Sequence, residues 1–224
     1  IYKKRVNQLG ENKKYIYDFG AIGVANRYKN LLRKDQLEKK LKIKFNKKNF
    51  LIIIHPETQT NNSEILLKNT LDCIKLFKDT NLFFTGIGAD LESVNLSKIT
   101  KKFVSKNKNS YYFESLGRDS YLSILKNIDC IIGNSSSAIY DAPSFQLPAV
   151  NIGKRQFGRV YSNNIINSKY SKNNIKNQIN KALKVNRKHI NNIFYKENSI
   201  NKVIRVLKST NFSKLLPKEF FDLL

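Results

Sequence analysis

Short apolar runs alternate with longer stretches in which apolar residues recur at helical spacing, and this alternation organises most of the chain. FLIIIH (50–55) is a continuous apolar run of the kind that forms a strand buried on both faces. After it, residues 63–78 carry Ile65, Leu66, Leu71, Ile74, Leu76 and Phe77 in a helical pattern behind a serine cap. NLFFTG (81–86) predicts a strand, SVNLSKITKKFVSK (93–106) a helix, SYYFES (110–115) a third strand, and RDSYLSILKN (118–127) a helix capped by Asp119 or Ser120. DCIIG (129–133) and PAVNIG (148–153) predict two further strands on either side of a helix over about 136–145. Strand and helix in repetition are the signature of βαβ units, so the expected class is α/β: a Rossmann-like doubly wound parallel sheet whose ligands sit at the carboxyl ends of the strands. At the flanks, YIYDFG (15–20) reads as a first strand and RKDQLEKKLKI (33–43) as a helix whose charges form a solvated face. The tail from Asn173 to Leu224 shows three helical stretches and little strand character.

Composition changes this picture in three ways. A chain of 224 residues suits one main core, and its lack of methionine, with Ile1 first, suggests a fragment or a processed chain. A net charge of +24 would ordinarily raise nucleic acid as a partner, but the lysines are scattered among asparagines and isoleucines. No zinc-ligand set, RNP-type aromatic motif or base-reading basic helix accompanies them, so the reading is a solvated surface with weak anion attraction and no specific nucleic-acid site. Cys73 and Cys130 sit in the apolar runs LDCIKLF and IDCIIG, which predicts buried free thiols and fits a reducing cytoplasm. No signal peptide and no bilayer-spanning run is seen, so a soluble, cytoplasmic chain without membrane contact is expected.

The candidate chemistry is concentrated in GNSSSAIYDAPSFQLPAVNIGKRQFGR (133–159). A strand ends at Gly133, and Asn134, Ser135, Ser136 and Ser137 follow before a helix begins, bringing free N–H groups, hydroxyls and a helix start to one point. That combination suits a phosphate, although serines in such a place also simply cap a helix. Asp141 lies five or six residues on, where a carboxylate could accept hydrogen bonds from a sugar diol. The next strand ends at Gly153, and Lys154, Arg155 and Arg159 follow at the same sheet edge, where a guanidinium could bind a diphosphate through paired hydrogen bonds. His55, at the end of FLIIIH, is directed to the same edge either as a ligand contact or as a capping group. HExxH, GxSxG and Walker residues are missing, which removes metalloprotease, hydrolase-elbow and P-loop chemistry.

IIHPET (53–58), GNSSSAIYDAP (133–143), LPAVNIGKRQFGR (147–159) and, more weakly, RVNQLGE (5–11) with DFGAIG (18–23) resemble the hydrolysing UDP-N-acetylglucosamine 2-epimerases of sialic acid synthesis. The resemblance implies the two-domain glycosyltransferase-B fold, with this chain as its carboxyl-terminal half and an amino-terminal domain outside it. It places His55, Ser135, Ser136 and Arg155, with Arg159 nearby, on the diphosphate, Asp141 on the ribose, and the backbone around Leu116 on the nucleobase of a UDP-sugar. The implied organisation is a strand and helix leading into the domain over 1–48, a nucleotide-binding domain over 49–172 and carboxyl-terminal helices over 173–224.

The implied reaction is anti elimination of UDP and hydration, giving N-acetylmannosamine. Its carboxylates belong to the absent half, so no catalytic residue, metal or cofactor is assigned here, and the chain alone is expected to be inactive. Members of the family are often oligomers, which makes a homo-oligomer the implied assembly. Asp141 stands where the family has glutamate, and in FTGIGAD (84–90) Gly88 stands where it has asparagine. The readings kept beside this one are a non-hydrolysing 2-epimerase, a glycosyltransferase-B nucleotide-binding domain and a non-enzymatic anion-binding domain.

Overall fold

The computed structural model describes residues 1–25, 27–57, 62–86, 91–218 and 220–222. In chain order the elements are α1 (Tyr2–Gln8), α2 (Ile22–Ala25), α3 (Lys34–Leu41), β1 (Lys48–Ile53), α4 (Ser63–Ile74), β2 (Thr80–Thr85), α5 (Leu91–Ser105), β3 (Ser110–Phe113) and α6 (Gly117–Lys126). They continue with β4 (Cys130–Gly133), α7 (Ser137–Tyr140), a 3-10 turn over Ala142–Phe145, β5 (Ala149–Ile152), β6 (Ile165–Ser168), α8 (Lys172–Ala182) and α9 (Ser199–Ser209).

Among the described residues the strands form one six-stranded sheet in the order β3-β2-β1-β4-β5-β6, and every neighbouring pair is parallel. This is the doubly wound arrangement, with its topological switch point between β1 and β4. Strand residues alternate between two cores, as a sheet covered on both faces requires. Phe50, Ile52 and Ile54 of the β1 region join Leu66, Leu67 and Ile74 of α4, Leu96 and Phe103 of α5, and Ile175 and Ile179 of α8. Leu51 and Ile53 face the other way, onto Leu37 of α3 and Leu122, Ile124 and Leu125 of α6. Each such large apolar side chain contributes about 1.5–3 kcal/mol when fully removed from water.

The chain divides into two compact units, one over 27–193 and one made of 1–26 with 194–224. The first contains the whole sheet. In the second, the Ala21 N–H donates to the Phe194 carbonyl (2.8 Å), Lys196 pairs with Asp18 (2.9 Å), and the Phe221 N–H donates to the Gly10 carbonyl (3.0 Å).

Several expected elements differ. Residues 15–20 form no strand: a 3-10 turn over Lys13–Tyr15 leads into irregular chain in which the Tyr17 and Phe19 rings stack on each other at 5.4 Å. The aromatic pair thus has a local partner in place of a sheet neighbour. β6 adds an edge strand to the sheet, paired to β5, in a region for which the sequence pattern suggests no element. α4 has Asn62 at its cap position, and the Ser63 hydroxyl instead accepts from the Glu57 N–H (2.8 Å). α6 begins one residue early, at Gly117, with no side-chain cap from Asp119 or Ser120. The helix expected over 136–145 breaks into α7 and the 3-10 turn, because Pro143 lacks the N–H that would continue the α-helical ladder.

Cys73 and Cys130 are fully buried free thiols, and burial pushes the first up to about 11 and the second to about 12. Neither is expected to react with a water-soluble maleimide at pH 7.5 in the native protein, and both should be labelled in denaturant. Labelling of either thiol in the folded state, read by intact mass, would contradict this packing. Among the described residues, no helix is long and apolar enough to cross a membrane.

Candidate functional site

The parallel topology brings the carboxyl ends of β1, β4 and β5 side by side, and one residue joins them. Asn134, immediately after β4, is 0% exposed. Its Oδ1 accepts from the His55 N–H (2.7 Å) and its Nδ2 donates to the His55 carbonyl (2.9 Å), so its amide closes a two-bond ring with the backbone beyond β1. The Asn134 N–H donates to the Ile53 carbonyl (3.1 Å). From the loop after β5, Arg155 Nη1 (3.2 Å) and Gln156 Nε2 (2.7 Å) both donate to the Asn134 carbonyl. Each polar group of Asn134 therefore has a partner that helps bind the strand ends together.

This knot requires a close approach at Gly133. Its φ is +141°, and a Cβ there would lie 2.0 Å from the Ile53 carbonyl oxygen, so only glycine lets β4 and β1 meet at the crevice.

What the knot presents is polar and largely unoccupied. The Ser135 hydroxyl, mostly buried, accepts from the Ser137 O–H (2.9 Å) and N–H (3.3 Å), which leaves its own proton free to donate. Among the described residues no acceptor takes up the backbone N–H of Ser135 or Ser136, or the Ser136 hydroxyl. α7 spans four residues, so these discrete donors, rather than a long helix dipole, make the spot suited to an anion.

Arg155 is held over the same carbonyl. Burial and the neighbouring Arg159 lower its pKa, while Glu57 opposes them, and the guanidinium stays charged. Glu57, 6% exposed, accepts from the Tyr170 hydroxyl (2.7 Å) and lies against Gly153, where the loop bearing Arg155 begins with φ +81°. Arg159 is exposed, and its backbone N–H donates to the Gln156 carbonyl (3.3 Å).

On the other flank of the switch point, a cleft of about 330 Å³ opens at the carboxyl ends of β2 and β3, lined by Gly86, Glu114, Ser115, Leu116, Gly117 and Tyr121 among others. Leu116 occupies the cap position of α6, half-buried, with its side chain against the second core. Tyr121 connects the cleft to Asp141: its hydroxyl donates to Asp141 Oδ2 (3.1 Å). Asp141 Oδ1 makes an ion pair with Arg27 Nη2, without the alignment of a hydrogen bond. Burial pushes the Asp141 carboxyl up, and Arg27 and Tyr121 pull it down. The Tyr121 phenol is itself pushed up by burial and by Asp141.

The structure thus gathers His55, Ser135 and Arg155 through Asn134, with Ser136 beside them, and connects Leu116 to Asp141 through Tyr121. Arg159 sits at the margin. Asn134, Gln156, Tyr121 and Arg27 were not read as site residues. The first two are next to residues that were; Arg27 carries no local signal, being 114 positions from Asp141. Gly88, and the rest of FTGIGAD after Gly86, lie outside the described residues, as does Thr58. Among the described residues no group of three or more His, Cys, Asp or Glu gathers to hold a metal ion.

A doubly wound sheet with donors, hydroxyls and a guanidinium at its switch point defines a Rossmann-like domain whose crevice is suited to a phosphorylated ligand. Residues 1–208 match the family model for UDP-N-acetylglucosamine 2-epimerase, and the chain belongs to that family. It is 35% identical over 229 residues to the GDP/UDP-N,N'-diacetylbacillosamine 2-epimerase (hydrolyzing) of Campylobacter jejuni, covering 100% of this chain and 60% of that protein. It is 34% identical to the polysialic acid biosynthesis protein P7 of Escherichia coli, covering 99% of this chain and 58% of the relative. The chain therefore spans 60% and 58% of these curated relatives and corresponds to their carboxyl-terminal half. Among solved structures, the UDP-GlcNAc 2-epimerase of Methanocaldococcus jannaschii shares the fold at TM-score 0.70 and 17% identity, over 93% of this chain and 60% of that one. The Neisseria meningitidis UDP-GlcNAc 2-epimerase, solved with UDP-GlcNAc bound, shares it at TM-score 0.67 and 14% identity, over 93% of this chain and 58% of that one.

Proposed function

We propose that this chain is the nucleotide-binding half of a hydrolysing sugar-nucleotide 2-epimerase, acting on a UDP-linked 2-acetamido sugar. The observation that carries the reading is the Asn134 knot, which sets Ser135 and Arg155 beside the end of β1 at the switch point. The diphosphate is assigned to Ser135, Ser136, Arg155 and His55, with Arg159 at the margin. The ribose is assigned to Asp141, and the base to the cleft beside Leu116. The name of the Campylobacter relative, which specifies the hydrolysing reaction, supports the hydrolysing form.

In this reaction a base removes the proton at C2, the C1–O bond to UDP breaks anti to it, and the electron pair forms the double bond of a 2-acetamidoglucal. Water then adds across that bond, its oxygen to C1 and a proton to C2 on the opposite face, releasing the free epimer. The chain's own part is at the leaving group. As the C1–O bond breaks, negative charge grows on the β-phosphate, and donors already fixed in place stabilise that charge more than they stabilise the ground state. The acid and base that inversion at C2 requires are assigned to the amino-terminal half of the whole protein.

Product analysis of the intact protein tests this directly, with UDP-N-acetylglucosamine and UDP-N,N'-diacetylbacillosamine as substrates. Free 2-epimerised sugar and UDP are expected in equal amounts, with deuterium from heavy water at C2. A nucleotide-linked epimer would establish the non-hydrolysing reaction instead. Sugar appearing on an acceptor, seen by mass spectrometry, would establish a glycosyltransferase.

A further inference from the structure

We infer that Arg27 is the specificity partner of Asp141: the pair selects a ribonucleotide over a 2′-deoxyribonucleotide, with Arg27 holding the carboxylate charged and oriented. The inference rests on the proposed nucleotide assignment and adds to it a residue from a distant part of the chain. Asp141 and Arg27 have side chains only 13% and 16% exposed, so each is costly to bury without the other. A buried carboxyl without a countercharge takes up a proton and becomes a donor, whereas a ribose diol needs an acceptor.

The geometry divides the labour between the two oxygens. Oδ1 lies against Arg27 Nη2 and Oδ2 accepts from Tyr121, whose ring also lines the cleft beside Leu116. With both oxygens anchored, the lone pairs that remain have fixed directions. Arg27 Nε, meanwhile, is buried and has no hydrogen-bond acceptor among the described residues. A buried donor of this kind costs stability, and because it is closed off from solvent Arg27 acts on a bound diol through the carboxylate rather than by touching it. The Asp141 side chain therefore carries the contact, and Arg27 determines how much a second hydroxyl is worth.

The test compares UDP with 2′-deoxy-UDP by calorimetry on the intact protein, in wild type and in Arg27→Gln, Arg27→Lys, Tyr121→Phe and Asp141→Asn variants whose folding is checked by thermal unfolding. Wild type is expected to prefer UDP by roughly tenfold or more, as for a hydrogen bond to a charged group. Arg27→Gln should bring the preference close to that of Asp141→Asn while leaving 2′-deoxy-UDP binding nearly unchanged. Arg27→Lys, which keeps charge but loses the planar fork, should restore part of it. Equal weakening of both nucleotides by Arg27→Gln would reduce Arg27 to a structural role and overturn the inference. Tighter UDP binding would do the same, by showing that Arg27 competes with ribose for the carboxylate. A wild type that binds UDP without preference would overturn the Arg27 and Asp141 assignment alone, and a wild type that binds neither would overturn the nucleotide reading itself.

Discussion

Gly133→Ala is expected to lower the stability of the protein by about 3 kcal/mol or more, the scale of a backbone conformation that L side chains avoid combined with a steric clash in a core. The atoms in the way are the Ile53 carbonyl oxygen at 2.0 Å and its carbon at 2.7 Å, both backbone atoms of the strand that pairs with Gly133. They cannot rotate aside as a flexible side chain would. Relief requires β1 and β4 to separate, which also strips Asn134 of its bond to the Ile53 carbonyl and disturbs the ring it closes with His55. The thermal midpoint should fall by roughly 6–12 °C for a chain of this size. Gly158→Ala is the control: it also has positive φ (+78°), but nothing lies within 4 Å of its Cβ, so it carries the conformational cost without the clash. Equal midpoints for the two variants would mean that the strand ends are not held as tightly as described.

The second large effect is on turnover. Arg155→Gln in the intact protein is expected to lower kcat/KM by roughly 10²–10³-fold, the loss typical of removing a donor aimed at developing charge. Most of it should fall on kcat, because UDP carries more charge as it departs than while it is bonded to the sugar. Arg155→Lys should recover little, since a point charge on a flexible stem cannot both donate to the Asn134 carbonyl and fork onto a phosphate. Arg155 is exposed as well, but its bond to the Asn134 carbonyl orients it; Arg159 has no such side-chain bond among the described residues, so Arg159→Gln should cost less than about tenfold. Steady-state rates of UDP release settle the comparison. A change in KM alone for Arg155→Gln would place that residue in ground-state binding.

The sheet was legible in the sequence wherever a strand is buried on both faces. β1, β2, β4 and β5 are short apolar runs set between helical patterns, and each formed within two residues of the expected boundaries. β6 escaped because an edge strand needs fewer apolar residues: INS follows a single isoleucine, and its asparagine is satisfied sideways, by the Asn151 amide and the Tyr161 hydroxyl. YIYDFG misled for the opposite reason, since its aromatic spacing suits a strand but its rings stack on one another. The candidate site was legible as a group of residue types at two strand ends. Its internal order was not, because Asn134 acts through register across three strands and Arg27 reaches Asp141 only in the folded chain.

The position of the cleft relative to the knot has a consequence for how such a domain changes over time. The pocket assigned to the base is built at β2, β3 and α6, whereas the groups assigned to the diphosphate hang from β1, β4 and β5. Substitutions that reshape the first need not disturb the second. Under the proposed assignment, a lineage carrying this sheet can therefore exchange one nucleobase for another by drift along one flank, keeping unchanged the groups assigned to the departing phosphates.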